Sequence, residues 1–527
     1  MQNLEVGIIE SFGDYKKGNY MFTPIIEPPA LYYQLPEKTI KNLQAEYSTF
    51  LETYPEYATT QKLDLLRSHE YTHIDNNNHI FLDYTGCGLY SQAQIEEHCT
   101  FLNNNVYGNP HSNNPTSQCA TNMVEAVRTH ILNYFNASAD EYAVIFTPNA
   151  TGALKIVGES YPFVDESRFL FTEDIHNSVM GIREFARAKG ASLQHIPIIK
   201  ETLRITSSTV EDVLNKIPAT RPCLFAFPAQ SNFSGVQHPL EWVSIAQNKG
   251  WHILLDAAAF VPTNKLDLSQ IHPDFVVLSF YKMFGYPTGV GCLIAKHSAL
   301  KELKRPWFSG GTVEVASISG DGYHFHDDYS AFEDGTLNFL NISAVPIGLR
   351  HIQKIGIDLI HKRVITLTDW LIKKLINLHH SNGNPLICIY GPHDTTARGG
   401  IIAMNFQDPD GTIIDPEIIE FLAAKRNISI RIGCFCSPGS IEAINEINQN
   451  DVQQYFNNNT NISYEDYIAG LPGRTMAAAR VSLGIVSNFK DVYEFVKFAQ
   501  TFIDRKTSKS EFRDVLPPRI HGCRSSC

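Results

Sequence analysis

The amino-acid sequence predicts an α/β fold with a mostly parallel central sheet and a smaller C-terminal α/β domain. From Phe81 onwards, short runs of β-branched and aromatic residues alternate with amphipathic stretches, and each run ends in a loop of small or polar residues. This alternation is typical of strand–helix units, whose ligands bind at the carboxyl ends of the strands. The predicted buried strands are Tyr142–Phe146, Arg168–Phe171, Cys223–Phe227, His252–Leu255 and Phe275–Leu278.

The length of 527 residues favours a large catalytic domain with a smaller one beside it. We expect a helical and irregular extension over 1–78, a large domain over 79–344, a small domain over 345–506 and a flexible, Cys-containing tail over 507–527. A loop is predicted at His73–Asn78 and a surface loop at Asn448–Asn461. In the small domain the pattern predicts helices at Gly348–Ile355, Leu359–Leu378, Glu417–Lys425 and Val492–Ile503, and strands around Ile387 and at Ile401–Asn405.

The composition is that of an ordinary globular protein, with 43% hydrophobic and 19% charged residues. No apolar run is long enough to cross a bilayer and no leader follows Met1, so we expect a cytoplasmic protein without a membrane partner. The formal net charge of -12, with both signs interspersed, argues against a nucleic-acid partner, which would need a concentrated positive face. The composition therefore favours small-molecule chemistry.

The ten cysteines are scattered, which is not the pattern of a disulfide framework. Cys434 and Cys436 are too close together for ordinary core use, and they fit either a Cys-x-Cys metal site, two core thiols or a reactive cysteine. Cys523 and Cys527 are also close, but they stand at the chain end, where fraying is common. We expect no metal site.

Lys282 is the first candidate catalytic residue. It lies just past the strand Phe275–Leu278 and before a glycine-bearing turn and a further strand, at the edge where a ligand of the sheet would bind. Loss of hydration lowers the pKa of an amine, and an unprotonated amine attacks an aldehyde. Taken alone, this lysine also fits a surface residue after a strand.

Three further segments give Lys282 its chemical context. Asp256 ends the strand His252–Leu255, where a carboxylate can hold a protonated pyridine nitrogen or simply cap a helix. Thr151 lies in a small-residue segment between a strand and a helix, where free amides and a hydroxyl suit a phosphate group. His176 follows the next strand and can lie flat against a planar ring, or be an ordinary polar loop residue.

The order and spacing of these residues resemble those of class V aminotransferases and cysteine desulfurases. The chain is most similar to the cysteine-desulfurase part of molybdenum cofactor sulfurases, over about residues 80–505. The segments that carry the resemblance are Phe81–Asp83, Tyr107–Ser112, Val144–Thr147, Gln230–Gly235, Asp256–Ala259, Ser279–Lys282, Phe332–Thr336, Arg431–Cys436 and Arg480–Gly484.

The resemblance implies a fold-type-I transferase dependent on pyridoxal 5′-phosphate (PLP), with the cofactor held as a Schiff base. Lys282, Cys436 and His176 would be catalytic, and Cys436 would take sulfur from L-cysteine as a persulfide. Gly335 and Thr336 would reach the phosphate of a second subunit, which implies a homodimer. The cofactor-binding residues would be Ala150, Thr151, Gly152, His176, Asp256, Ala258, Ser279, Lys282, Gly335 and Thr336.

Asn232 and Arg480 would bind the substrate carboxylate. The loop Tyr84–Gly88 departs from the family, which usually has a histidine followed by small residues there, and Cys87 is therefore expected to border the substrate, where it would narrow the pocket or relay sulfur. Ala259 replaces a glutamine of many cysteine desulfurases, as the sulfurase branch also tends to do.

The final sulfur acceptor stays open, because eukaryotic molybdenum cofactor sulfurases usually continue into a cofactor-binding domain for which we expect no room here. Molybdenum cofactor, a partner protein, another small molecule and the tail thiols Cys523 and Cys527 are all candidates. The alternative activity is that of a PLP-dependent lyase or aminotransferase acting on another amino acid or sulfur compound, with Cys436 incidental. A catalytically silent scaffold is the other class, although a scaffold has no need of Lys282, Asp256 and Arg480 together.

Overall fold

The computed structural model describes residues 37–216, 219, 221–447, 476–507 and 512. The chain divides into two units after Gln44, and all the strands of the described residues lie in the second. None of the described helices is long and apolar enough to cross a membrane. The predicted Asn-rich loop 448–461 and the tail cysteines lie outside the described residues, so those predictions stay open.

Fifteen strands occur in the described residues. In chain order they are β1 (Ile80–Phe81), β2 (Tyr142–Thr147), β3 (Arg168–Thr172), β4 (Ser192–Ile196), β5 (Leu224–Pro228), β6 (His252–Asp256), β7 (Phe275–Ser279), β8 (Gly291–Lys296), β9 (Val313–Ser317), β10 (Gly322–Phe325), β11 (Ile387–Tyr390), β12 (Ile401–Phe406), β13 (Ile428–Ser429), β14 (Arg431–Gly433) and β15 (Ala478–Ser482).

The helices surround these strands. Up to residue 302 they are Glu37–Thr53, Pro55–Thr60, Lys62–Glu70, Thr72–Asn76, Gln92–Asn103, Pro115–Tyr134, Ala150–Ser160, Asn177–Met180, Ile182–Ala188, Ser207–Lys216, Trp242–Gln247, Phe280–Phe284 and His297–Glu302. After residue 302 they are Tyr329–Phe332, Phe339–Ile342, Val345–Ile355, Ile357–Ile376, Pro416–Ala424, Pro438–Ile444 and Phe489–Gln500.

The central sheet has seven strands in the order β2-β8-β7-β6-β5-β3-β4. Only β8 runs against its neighbours, and the pairs from β7 to β4 are parallel. Only the short helix Phe280–Phe284 and a turn join β7 to β8, so β8 returns beside β7 as an antiparallel strand. A return to a parallel strand would need a crossover of a dozen or more residues. The strands β5 and β7 are buried along their whole length and β6 is buried from Ile253 onwards, as their apolar runs predict.

The smaller sheet has four antiparallel strands in the order β11-β12-β15-β14. Sequence analysis predicted only the strands at Ile387 and Ile401–Asn405, because β14 has only three residues and β15 has an arginine at its centre in place of an apolar run. In this sheet Arg431 of β14 is the direct cross-strand partner of Arg480 of β15. The strand β1 pairs with β13, and Asp83 bridges to Ser482, so the segment after β1 is fixed against this part of the chain.

The segment before β1 is more ordered than its polar pattern suggests. The prediction of a loop at His73–Asn78 was wrong for most of its length, since Thr72–Asn76 is a short helix. Ile74 is buried on that helix, and Asp75 pairs with the buried guanidinium of Arg67 at 2.9 Å. Burial and this ion pair offset a weak local propensity.

Arg363, in the helix Ile357–Ile376, holds this N-terminal segment to the rest of the unit. Its buried guanidinium donates to both carboxylate oxygens of Asp64 at 2.9 and 2.7 Å, to the Thr60 carbonyl at 2.7 Å and to the Ser487 carbonyl at 3.2 Å. It also lies 4.1 Å from the ring centre of Tyr57. A buried cation is stable only when its hydrogen bonds and charge are matched in this way.

We therefore expect Asp64→Ala to lower the free energy of unfolding by about 3 kcal/mol, because it leaves the Arg363 charge buried and unpaired. The matched control is Glu46→Ala, which removes a pair with Lys374 whose side chains are both about two-fifths exposed, and which should cost under about 1 kcal/mol. Chemical denaturation of the full chain measures both values. Equal losses in the two variants would contradict this account.

Candidate active site

The predicted lysine and aspartate lie at the carboxyl edge of the central sheet. Lys282 stands in the short helix Phe280–Phe284 directly after β7, and Asp256 is the last residue of β6. The two strands are adjacent and parallel, with Asp256 paired in register with Val277. The fold therefore brings together two side chains that are 26 positions apart in the sequence.

The surroundings shift the pKa values of Lys282 and Asp256 in opposite directions. Loss of hydration lowers the pKa of Lys282, although the charge of Asp256 partly opposes this shift. Burial raises the pKa of Asp256, while the Ala258 N–H, which donates to its Oδ1 at 3.0 Å, and the charge of Lys282 oppose it. The lysine is thus biased towards the free amine that attacks an aldehyde.

A group of hydroxyls surrounds the start of the helix Ala150–Ser160. The Ala150 N–H donates to Ser279 Oγ at 2.8 Å, and the Thr151 and Ser178 hydroxyls are 2.8 Å apart. Asn149 caps the helix by accepting from the Gly152 N–H at 3.0 Å, so that amide already has a partner. Three hydroxyls at a helix N-terminus suit a phosphate group. Sequence reasoning missed Ser178.

His176 lies after β3 and caps the short helix Asn177–Met180. Its Nδ1 accepts from the Ser178 N–H at 3.1 Å, which assigns the proton of the neutral ring to Nε2. Burial, together with the charges of Lys282 and Arg480, lowers the pKa of His176 to about 3. The imidazole is therefore neutral near pH 7 and can stack on an aromatic ring without adding a charge.

Arg480 is buried beside Asn232, its predicted partner, and beside Asp83. It donates to the Asn232 carbonyl at 2.9 Å and to Asp83 Oδ1 at 3.2 Å, and burial lowers its pKa to about 10. Asp83 also accepts from Arg431 at 2.6 Å. Among the described residues, Arg480 Nε and Asn232 Oδ1 are buried atoms with no hydrogen-bond partner. An N–H of this kind suits an anionic ligand such as a carboxylate.

Cys436 is half-buried in the segment between β14 and the helix Pro438–Ile444. The Asn177 N–H donates to its carbonyl at 2.6 Å, which places it beside the His176 segment. Cys436 is one of seven cysteines of the described residues that form no disulfide, whereas Cys434 is buried and disulfide-bonded. No cluster of metal-ligating side chains occurs in the described part of the chain.

A family model for Aminotransferase class-V matches residues 80–495. The chain belongs to this family. Among the curated proteins, molybdenum cofactor sulfurase of Solanum lycopersicum is 34% identical over 494 residues, covering 87% of this chain and 60% of that protein. The molybdenum cofactor sulfurase of Homo sapiens is 34% identical, with 87% and 52% covered. The chain thus spans little more than half the length of these relatives.

Solved structures of similar fold include the cysteine desulfurase of Thermococcus onnurineus NA1, with a TM-score of 0.69 and 21% identity over 84% of this chain and 98% of that one. A cysteine desulfurase of Escherichia coli gives a TM-score of 0.63 and 18% identity, with 83% and 98% covered. These likenesses confirm the predicted fold-type-I α/β architecture.

The loop Tyr84–Gly88 lies against the segment of Lys282. The Gly88 N–H donates to the Tyr281 carbonyl at 3.0 Å, and the Cys87 thiol donates to the Gly88 carbonyl at 3.0 Å. Burial and the charge of Asp83 raise the pKa of Cys87, against Arg431 and Lys282, so this half-buried thiol holds its proton. A cavity joins this loop to Lys282, and its lining includes Tyr84, Thr85, Gln230, Ala258 and Ala259.

Gly335 and Thr336 have different surroundings. Their hydrogen bonds join Gly335 to Gly310 at 2.8 Å and Thr336 to Asn109 at 3.4 Å, not to the residues around Lys282. Gly335 has a φ of 72°, and no atom would lie within 4 Å of a Cβ placed there. Their role at a second subunit's phosphate stays a prediction.

The His176 environment gives a direct test. In the cofactor-free protein we expect the imidazole to titrate at about pH 3 rather than near the usual value of about 6.5, because burial and two cations disfavour its charged form. Nitrogen chemical shifts of the ring measure this, with His176→Gln to assign the signal. Lys282→Met removes one cation and should raise the pKa. Titration of His176 near pH 6.5 in the unaltered chain would refute the arrangement.

Proposed function

We propose that the chain is a PLP-dependent cysteine desulfurase that takes sulfur from L-cysteine as a persulfide on Cys436. The main support is the grouping of an amine with a lowered pKa, a buried arginine with an unpartnered N–H and the half-buried thiol of Cys436 at one edge of the sheet. The names of the curated relatives favour molybdenum cofactor as the sulfur acceptor. We further propose a cytoplasmic homodimer in which Gly335 and Thr336 serve the partner.

The donor set fits PLP. Lys282 would hold its aldehyde carbon, Asp256 its pyridine nitrogen, and His176 and Ala258 its two faces. When bound, PLP withdraws electrons from the substrate Cα. The hydroxyls of Thr151, Ser178 and Ser279 would hold the phosphate, together with the start of the helix Ala150–Ser160.

Four residues of the chain have separate roles in the proposed reaction. Arg480 and Asn232 orient the substrate carboxylate, which pairs with the unpartnered Arg480 N–H. Lys282 Nζ, unprotonated once released, moves a proton at the substrate Cα and Cβ. The Cys436 thiolate attacks the substrate sulfur, so that an S–S bond forms as the C–S bond breaks. One cysteine and one Cys436 thiol thereby yield one alanine and one Cys436 persulfide, with no external oxidant.

Replacing the nucleophile tests the proposal. We expect Cys436→Ala to keep the visible absorbance of bound PLP but to lower alanine formation from L-cysteine at least a hundredfold, since the sulfur has no thiolate to receive it. Cys99→Ala, which removes a free and exposed thiol, is the matched control and should behave as the unaltered enzyme. Undiminished alanine or pyruvate formation by Cys436→Ala would instead support the lyase or aminotransferase alternative.

Replacing the lysine tests the cofactor. Lys282→Met should abolish turnover and leave PLP removable by dialysis, because the covalent attachment is gone. Lys296→Met provides a control at the end of β8, where Lys296 forms ion pairs with Glu141 and Asp274 at 3.7 Å. Absorbance after dialysis and alanine release are the two measurements. A Lys282→Met protein that stayed coloured and active would overturn the proposal.

A further inference from the structure

Phe435 contacts both Asn232 and Arg480, the two residues that are proposed to bind the substrate carboxylate. Its carbonyl accepts from Asn232 Nδ2 at 2.7 Å. Its ring lies 4.5 Å from the guanidinium carbon of Arg480 and 5.4 Å from the ring of Phe233. The residue next to Cys436 is therefore held by the two side chains that the substrate needs.

The backbone of this segment is strained. Phe435 and Cys436 both have a φ of 55°, in the left-handed region that side chains with a Cβ disfavour. Two successive residues of this kind persist only where contacts from outside the segment hold them. The contacts here are Asn232 to the Phe435 carbonyl, Asn177 N–H to the Cys436 carbonyl at 2.6 Å, and Ser437 Oγ to the Asp174 carbonyl at 3.0 Å.

A substrate carboxylate would compete for one of these contacts. The Asn232 amide can donate either to the carboxylate or to the Phe435 carbonyl. The phenyl ring of Phe435 also covers one face of the Arg480 guanidinium, the other group that is proposed to bind the carboxylate. A carboxylate is the stronger partner for a buried guanidinium, because its hydrogen bonds are charge-assisted. Its arrival thus removes a contact on which the strained segment depends.

We infer that Phe435 is a positioning residue that couples binding of the substrate carboxylate to release of the Cys436 segment. Before substrate binds, Phe435 holds Cys436 in one place through Asn232 and Arg480. When the carboxylate takes these two residues, the segment relaxes and the thiol gains the freedom to reach the substrate sulfur and later to present the persulfide to an acceptor. The inference rests on the proposed function for the identity of the carboxylate.

Alkylation of Cys436 measures the coupling without turnover. The full chain loaded with PLP is treated briefly with iodoacetamide, alone, with L-alanine or with ethylamine, which is alanine without its carboxylate. We expect L-alanine to speed alkylation of Cys436 at least fivefold and ethylamine to leave it unchanged. Peptide mass spectrometry resolves each thiol, with exposed Cys99 as the internal standard and buried Cys292 as the sign of unfolding.

Two variants isolate the ring. Phe435→Leu keeps an apolar side chain but loses the face that covers Arg480, so Cys436 should be alkylated fast without ligand, and L-alanine should bind severalfold more tightly by the cofactor spectrum, since it displaces less. Phe435→Tyr keeps the ring and should behave as the unaltered chain. If Phe435 had a purely structural role, Phe435→Leu would leave the effect of L-alanine on Cys436 alkylation unchanged in protein whose Cys292 stays unlabelled.

The outcomes separate this inference from the proposed function. If alkylation of Cys436 is the same with and without L-alanine, or is unaltered in Phe435→Leu, the coupling is refuted even where Cys436→Ala has lost desulfuration. If alkylation responds to L-alanine through Phe435 while Cys436→Ala still forms alanine from cysteine at full rate, the coupling holds and the proposed function falls.

Discussion

The site depends on the burial of the central strands on both faces. The interiors of strands β5, β6 and β7 are apolar and buried, so polar side chains stand only at the strand ends, and the carboxyl ends of parallel strands lie at one edge. Asp256 and Lys282 meet for that reason. The same burial takes hydration from both groups, which lowers the pKa of the amine and raises that of the carboxyl, so fold and reactivity have one physical cause.

Sequence reasoning succeeded where periodicity decides structure. The buried strands, the helix after Thr147 and the positions of Lys282, Asp256 and His176 all follow from apolar runs and the residues that end them. It failed where tertiary contacts decide: β14 has only three residues, β15 carries two alanines and a buried arginine in place of an apolar run, and Thr72–Asn76 is helical although its sequence is polar, with Ile74 buried and Asp75 paired to Arg67. The hairpin β9–β10 was also missed; most of its residues are exposed, so it lacks the buried apolar run that marks the strands of the central sheet.

The carboxylate Asp83 shows what a motif alone cannot reveal. It was noticed only as part of a similar segment, yet in the structure it accepts from both Arg431 and Arg480. Those two arginines face each other across β14 and β15, and two like charges so placed would repel in a site of low polarity. Asp83 makes their juxtaposition tolerable while leaving Arg480 Nε without a partner among the described residues, which preserves an N–H for a second anion.

The two thiols near Lys282 differ because of their anchoring. Cys87 belongs to a loop whose backbone is hydrogen-bonded to Tyr281, and burial together with the charge of Asp83 raises the pKa of its thiol, so it is fixed and protonated. Cys436 belongs to a segment in left-handed backbone conformations. This segment is held through Phe435 by Asn232 and Arg480, which are also the proposed carboxylate-binding residues. A sulfur carrier must leave the place where it is loaded, and of these two thiols only Cys436 is attached by contacts that a ligand of the site can replace.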